Sequence, residues 1–348
     1  MTDLWPVALV GFALSLGLTP LTRRIARRVG LLDKPGGRKA HAAPTPLLGG
    51  LAIYGAFILA LLAFPHWPQY ALQLGAILAG STWLAFVGLV DDRIGLSPRS
   101  KFPAQFLAAL AVLASGISID LTHSPILNDL LTLLWIVGII NALNFLDNMD
   151  GLAAGVSAIA AAGFFLLAIS QGQELVSALS ASLCGAAIGF LIYNFNPAST
   201  FMGDMGSMVL GFVLSVVGIK LHFYSQSTAV TWMIPVLVLG LPLFDTSLVV
   251  YTRLREGRSP FVGGRDHTSH RLVSLGLSSK RSVVILYGAC VILSASALVI
   301  SQSPIEVGLW IGTAVGILLA IAFVALVIVR YRARQKESVI LPDPLAAK

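Results

Sequence analysis

Apolar residues run through this chain in long blocks broken by short polar segments. A helix needs about 17–25 consecutive, mostly apolar residues to cross the hydrocarbon of a bilayer. Eleven blocks meet that length, at roughly residues 4–22, 47–64, 71–90, 103–119, 127–146, 153–170, 175–193, 207–222, 229–251, 283–301 and 306–329. The expected architecture is an all-α, polytopic integral membrane protein with about 11 transmembrane helices. Residues 1–330 read as one integral membrane domain and residues 331–348 as a basic cytoplasmic tail. No soluble domain, low-complexity linker or strong internal repeat interrupts the pattern.

The basic residues give the pattern a direction. Of 23 Lys and Arg residues, 22 fall in four clusters, at residues 23–39, 93–101, 253–281 and 330–348, and Lys220 is the exception. These clusters follow the first, third, ninth and eleventh blocks. The positive-inside bias then places them all in the cytoplasm, with the N-terminus outside and the C-terminus inside. Asp3 precedes the first block and its basic cluster follows it, the reverse of a cleavable signal peptide.

Composition agrees. The chain is 56% hydrophobic and only 11% charged, against about a quarter charged in soluble domains, and its mean hydropathy is +0.85. A net charge of +7 confined to loops beside apolar spans suits anionic lipid headgroups and anionic substrates rather than nucleic acid. Cys184 and Cys290 lie in different apolar blocks, without disulfide or zinc spacing, and read as packing residues.

Ionisable groups are costly beside hydrocarbon and are candidates for function. Asp91 and Asp92 end the third block facing the negative end of a helix dipole. Their repulsion calls for a metal or a lysine such as Lys101, unless they are simply a solvated loop start with Arg93 as counter-charge. Asn141, Asn144 and Asn148 share an i, i+3, i+7 stripe, with Asp147 and Asp150 beside it, which exceeds what capping a helix end requires. Gly203, Asp204, Gly206 and Ser207 form a glycine-rich turn. Ser207 could cap the following helix, whose backbone N–H groups would suit a phosphate with a metal bridging to Asp204; a plain turn is the alternative. Asp245 lies near the inner end of the ninth block, and the loop after it holds Arg253, Arg255, Arg258, Arg265, Asp266, His267, His270 and Arg271. Its arginines could clamp phosphate oxygens, or only orient the protein. A Pro/Gly-rich segment with Lys39, His41, Gly49 and Gly50 is the fifth and weakest candidate. Together these place Asp, Asn, Lys, Arg and His at one membrane face. That suits Mg²⁺ and a diphosphate better than a transporter of an anionic lipid or nucleotide, which would place isolated carboxylates near the midplane.

In this order the residues resemble the polyprenyl-phosphate N-acetylhexosamine-1-phosphate transferases. The resemblance rests on Asp91-Asp92; Asn141, Asn144, Asp147 and Asp150-Gly151-Leu152; Phe201, Asp204 and Ser207; and Asp266-His267 with His270-Arg271, and runs from about residue 30 to 280. It implies transfer of a sugar 1-phosphate from a UDP-N-acetylhexosamine to undecaprenyl or another polyprenyl phosphate, with release of UMP. The implied setting is the plasma (inner) membrane, with the site facing the cytoplasm, and a homodimer is compatible with it. The resemblance also implies Mg²⁺, with Mn²⁺ as a substitute, held by Asp204 and Asn144. Asp91 and Asp92 would handle the lipid phosphate, and Asp147 would orient or contact the metal. Lys101 would bind phosphate, Phe201 would stack on uracil, and Asp150 and Asn194 would lie near the nucleotide. His267, His270 and Arg271 would close on the sugar and diphosphate. Ser269 stands where the family commonly has a further His. The segments from Arg38 to Gly50 and from Arg253 to Phe261 look more like the N-acetylglucosamine branch than the phospho-MurNAc-pentapeptide branch.

Overall fold

The computed structural model describes residues 4–33, 44–64, 66–223 and 227–340. The turn at Lys34 to Gly37 and the Arg38, Lys39 and His41 part of the weakest candidate lie outside the described residues. Fourteen helices are described: α1 Trp5–Val29, α2 Gly49–Leu61, α3 Ala71–Ile94, α4 Pro98–Ala114, α5 Pro125–Leu146, α6 Leu152–Ser170, α7 Glu174–Asn194, α8 Gly203–Lys220, α9 Thr228–Thr231, α10 Met233–Val238, α11 Gly240–Arg255, α12 Thr268–Ser274, α13 Ser279–Gln302 and α14 Ile305–Ile340. Their boundaries follow local chemistry. Proline occupies the first turn of α1, α4 and α5, where its missing N–H costs nothing. Ser124 and Ser278 accept backbone N–H bonds at the starts of α5 and α13.

The chain is thus an all-α, polytopic membrane protein, and each expected block coincides with helix. Among the described residues, eight helices are long and apolar enough to cross a membrane by themselves. Three blocks take another form. Residues 47–64 contain only the 13-residue α2, residues 103–119 overlap the 17-residue α4, and residues 229–251 form a pair bent by 76° between α10 and α11. The bend has a local cause. Pro242 has no N–H for the Val238 carbonyl, and its ring would overlap that carbonyl in a continuous helix. The helix therefore stops at Val238 and restarts at Gly240. The expected tail boundary at residue 330 falls inside α14, which continues to Ile340.

Helix α8 is the centre of the packing. Every residue from 205 to 219 is buried, among α3, α5, α2, α7 and α6. Helices α1 and α6 pack on α7, while α4, α13 and α14 lie further out. At one end of α8 a short antiparallel pair, β1 Leu32–Asp33 with β2 Thr45–Pro46, straps the loop before α8. Phe201 N–H donates to the Pro46 carbonyl at 2.8 Å, and the Phe201 and Met202 carbonyls each accept a 2.9 Å bond from the first N–H groups of α2. This strap holds the end of the bundle where the ionisable residues gather.

Candidate active site

Three helix ends meet here. α3 finishes at Ile94, where Gly95 takes the left-handed conformation (φ 69°), so Asp91 and Asp92 lie in the last turn of the helix. The two carboxylates part company. Asp91 is buried and accepts from Lys101 Nζ at 2.7 Å and from the Leu96 N–H. The same ammonium donates to Asp204 Oδ2 at 2.7 Å. Lysine therefore supplies the cation that the acidic pair requires. Asp92 turns instead to the start of α8, accepting from Asp204 N–H at 2.8 Å and Met205 N–H at 3.3 Å. The backbone donors expected to hold phosphate are thus taken by a protein carboxylate, whose charge suits the positive end of that helix. Gly203 is required beside it. Its φ is +66°, and a Cβ there would lie 2.3 Å from Asp92 Oδ2. Ser207 is not the expected cap, because α8 already begins at Gly203. Its hydroxyl accepts from Asn144 Nδ2 at 3.0 Å, and the same amide nitrogen donates to Asp204 Oδ1 at 2.9 Å.

The asparagine stripe divides, because α5 ends at Leu146. Asn141 faces Gln105 of α4 at 2.6 Å, Asn144 faces Asp204, and Asn148 lies beyond the helix, where its Oδ1 accepts from Ser269 Oγ at 2.6 Å. Burial pushes the Asp147 carboxyl up to about 7, and the charges of Asp204 and Asp150 add to it. Asp150 accepts from Asn196 Nδ2 at 3.0 Å and Ala198 N–H at 2.9 Å. Asn194 is buried with both ends engaged, accepting from Gly151 N–H and donating to the Thr200 carbonyl. Asp150 and Asn194 therefore shape the loop between α7 and α8 directly. Phe201 is half-buried in the same loop.

The segment from α11 through α12 forms the remaining wall. Asp245, 1% exposed, accepts from Thr268 N–H at 2.6 Å and binds His267 Nδ1 at 2.7 Å. A carboxylate only accepts, so the imidazole donates from Nδ1, and Nε2 is the ring nitrogen left over. The His267 ring lies edge-on to Phe145 of α5 and 6.1 Å, centre to centre, from His270. Burial, followed by the charges of His267 and Arg265, holds the His270 imidazole down to about 4, so it is neutral near pH 7. The arginines expected to clamp phosphate are largely committed within the protein. Arg253 Nε and Arg258 Nη2 bind Asp266 at 3.0 and 2.8 Å. Burial alone would raise Asp266, but these two partners hold it at about 2. Arg271, placed by the resemblance at the substrate, is 2% exposed and turned into the scaffold. It donates to the Asp266 carbonyl, Thr252 Oγ1 and the Leu326 carbonyl at 2.9, 2.6 and 2.6 Å.

The structure thus gathers Asp91, Asp92, Lys101, Asn144, Asp147 and Asp204 at one end of α8, with His267 and His270 on the wall reached through Phe145. Asp245 and the Ser269–Asn148 link carried no role in the sequence reading. The signal for Asp245 was a lone carboxylate in an apolar block with no local counter-charge. For Ser269 there was none, since its partner lies 121 residues away.

Comparison with known proteins gives matches over the same region. A family model described as "Glycosyl transferase family 4" matches residues 74–222. A Bacillus subtilis (strain 168) protein named "Probable undecaprenyl-phosphate N-acetylglucosaminyl 1-phosphate transferase" is 36% identical over 303 residues, covering 84% of this chain and 84% of the relative. The decaprenyl-phosphate N-acetylglucosaminephosphotransferase of Mycolicibacterium smegmatis is 30% identical, covering 94% of this chain and 89% of its own length. The undecaprenyl-phosphate alpha-N-acetylglucosaminyl 1-phosphate transferase of Escherichia coli (strain K12) is 29% identical, covering 78% and 77%.

Proposed function

This chain belongs to glycosyl transferase family 4, and from that membership we propose that it transfers N-acetylglucosamine 1-phosphate from UDP-N-acetylglucosamine to undecaprenyl or another polyprenyl phosphate. A lipid phosphate oxygen bonds to the sugar-linked phosphorus, the bond from that phosphorus to the UMP oxygen breaks, and UMP leaves. The observation that carries the reading is the convergence of Asp91 and Asp204 on one cation position, filled here by Lys101 Nζ at 2.7 Å from each. Such a place suits phosphate groups that arrive with their own negative charge and a counter-ion.

Within that reading, Lys101 can exchange carboxylate for phosphate as substrate enters, freeing Asp204. A lipid phosphate is already largely ionised near pH 7, so Asp91 need not act as a strong base. The imidazoles of His270, neutral near pH 7, and of His267, held by Asp245, offer ring nitrogens to the sugar and diphosphate. Among the described residues no group of three His, Cys, Asp or Glu side chains could hold a metal ion. The oxygens of Asp204 and Asn144 nevertheless fit Mg²⁺, which commonly takes one or two carboxylates and completes its shell with water and phosphate. When bound, Mg²⁺ would neutralise the diphosphate and stabilise charge on the departing oxygen. Asn144 would have to turn its Oδ1 toward the ion, since its Nδ2 now faces Asp204.

Counting α2, α4 and the bent pair as crossings brings the eight long helices to eleven. The basic clusters then favour a site on the cytoplasmic face of the inner membrane. Reporter fusions after Lys101 and Lys280 should read cytoplasmic and one at Lys220 external; a cytoplasmic Lys220 would overturn the topology. The reaction itself is tested by incubating purified protein with undecaprenyl phosphate, Mg²⁺ and a panel of UDP-sugars. UMP and a lipid diphosphate sugar should appear with UDP-N-acetylglucosamine; movement of substrate across the membrane without UMP would favour a transporter.

A further inference from the structure

Helix α14 is the least buried long helix of the bundle, and none of its best apolar window is buried. Its few contacts are nevertheless placed along the broken span. Near its start, a Cβ at Gly312 would lie 2.6 Å from Met233 Sδ of α10. Further on, Phe323 packs edge-on against Phe244 and Tyr251 of α11, with ring centres 5.9 and 5.5 Å away. α14 therefore lies against both halves of the 76° bend. At its far end it turns polar, toward the segment that carries the histidines. Arg330 Nε meets Glu256 Oε1 at 3.2 Å, and Arg330 Nη2 lies 3.5 Å from Asp266 Oδ1. One turn earlier, the Leu326 carbonyl accepts from Arg271 at 2.6 Å.

These links grip the α11–α12 segment on either side of its loop. Glu256 is at the end of α11, Asp266 directly precedes His267, and Arg271 follows His270. We propose that α14 is a splint for the site, and that Arg330 is a positioning residue that holds the segment 256–271 so that the Asp245-bound His267 keeps its place against Phe145 of α5. A bent span has a degree of freedom that a straight one lacks, and the histidines ride on its inner half. Loss of this brace would let motion about Leu239 shift His267 relative to Phe145 of α5. Displacement of a reacting group by about 1 Å can cost on the order of a hundredfold in rate. Arg253 and Arg258 still neutralise Asp266 when Arg330 is removed, so the loss should fall on position rather than on folding.

The claim rests on the proposed transfer reaction for its kinetic readout and is independent of it for its structural one. Full-length wild type, Arg330→Ala and the charge-conserving Arg330→Lys are compared in detergent. In Arg330→Ala, hydrogen exchange at residues 256–271 should accelerate by about tenfold while α8 is unchanged. UMP formation should fall by about tenfold in kcat, with KM for the nucleotide sugar within about twofold, and Arg330→Lys, which keeps the charge facing Glu256 and Asp266, should retain at least about a third of the wild-type kcat. Unchanged exchange at 256–271 would overturn the splint, as would loosened exchange with undiminished kcat. Inactive wild type would count against the transfer reaction, and the exchange comparison alone would then decide the splint. If Arg330→Ala does not purify folded, Glu256→Ala removes the nearer acceptor and must give the same exchange pattern.

Discussion

Replacing Asp245 with Asn tests the part of the site that the fold made visible. Each oxygen of Asp245 has its own partner, Thr268 N–H at 2.6 Å and His267 Nδ1 at 2.7 Å, in a place 1% exposed. Asparagine keeps the volume but has only one oxygen. If that oxygen stays with Thr268, the new NH₂ faces Nδ1 and can be satisfied only by a lone pair there. Nδ1 then accepts instead of donating, and the ring hydrogen sits on Nε2, which changes what that nitrogen can offer a substrate. The lost hydrogen bond is charge-assisted, a class that contributes about 1.5–3 kcal/mol. At roughly 1.4 kcal/mol per decade this is about a 10- to 150-fold loss in kcat, with KM for the nucleotide sugar little changed because no substrate contact is deleted. The assay is UMP release by protein purified in detergent, with undecaprenyl phosphate, UDP-N-acetylglucosamine and Mg²⁺. Size-exclusion and thermal unfolding check that the variant is folded. A folded Asp245→Asn protein with kcat within about twofold of wild type would remove His267 from the reaction, since no arrangement of the amide preserves both bonds.

Asp204→Asn should keep the fold and lose at least about a hundredfold in activity, and chelator should abolish wild-type turnover until Mg²⁺ or Mn²⁺ is restored; normal turnover of chelated enzyme would eliminate the metal. Ser269→Ala removes the buried hydroxyl that donates to the half-buried Asn148 Oδ1, so it should cost about 1 kcal/mol in stability and roughly fivefold in rate. Ser269→His should be worse than Ala, because the site is 1% exposed and has no room for a ring; a fully active, stable Ser269→His would show that the two loops are not latched there. His270 titrates near 4 in the fold against 6.5 ordinarily, so the unfolded chain binds that proton more tightly. Its contribution to stability is present above about pH 6.5 and lost as pH falls toward 4. Thermal unfolding across that window should show the decline, and His270→Gln should flatten it; an identical slope in the variant would mean the imidazole is not buried as described.

The helices were legible because hydrocarbon thickness sets their length, so each apolar block announces a helix without reference to its neighbours. That ionisable groups gather at one end of the bundle was legible for a similar reason, since they cannot be scattered cheaply through lipid. Pairing between side chains was not. Asp91 and Asp92 are adjacent and chemically identical, yet one binds Lys101 and the other caps α8, because successive residues on a helix point about 100° apart and meet different partners. The phosphate cradle expected at Gly203 was excluded only when α3 brought a carboxylate 112 residues distant onto the same N–H groups. Arg271 and Arg253 read as exposed cations until the bend at Leu239 and the passage of α14 buried them against carbonyls and Asp266. Sequence alone thus determined which residues must cluster, through solvation costs paid residue by residue. Which of them remain available for a substrate was decided by tertiary contacts, because each buried donor and acceptor takes whatever partner the packing brings within about 3 Å.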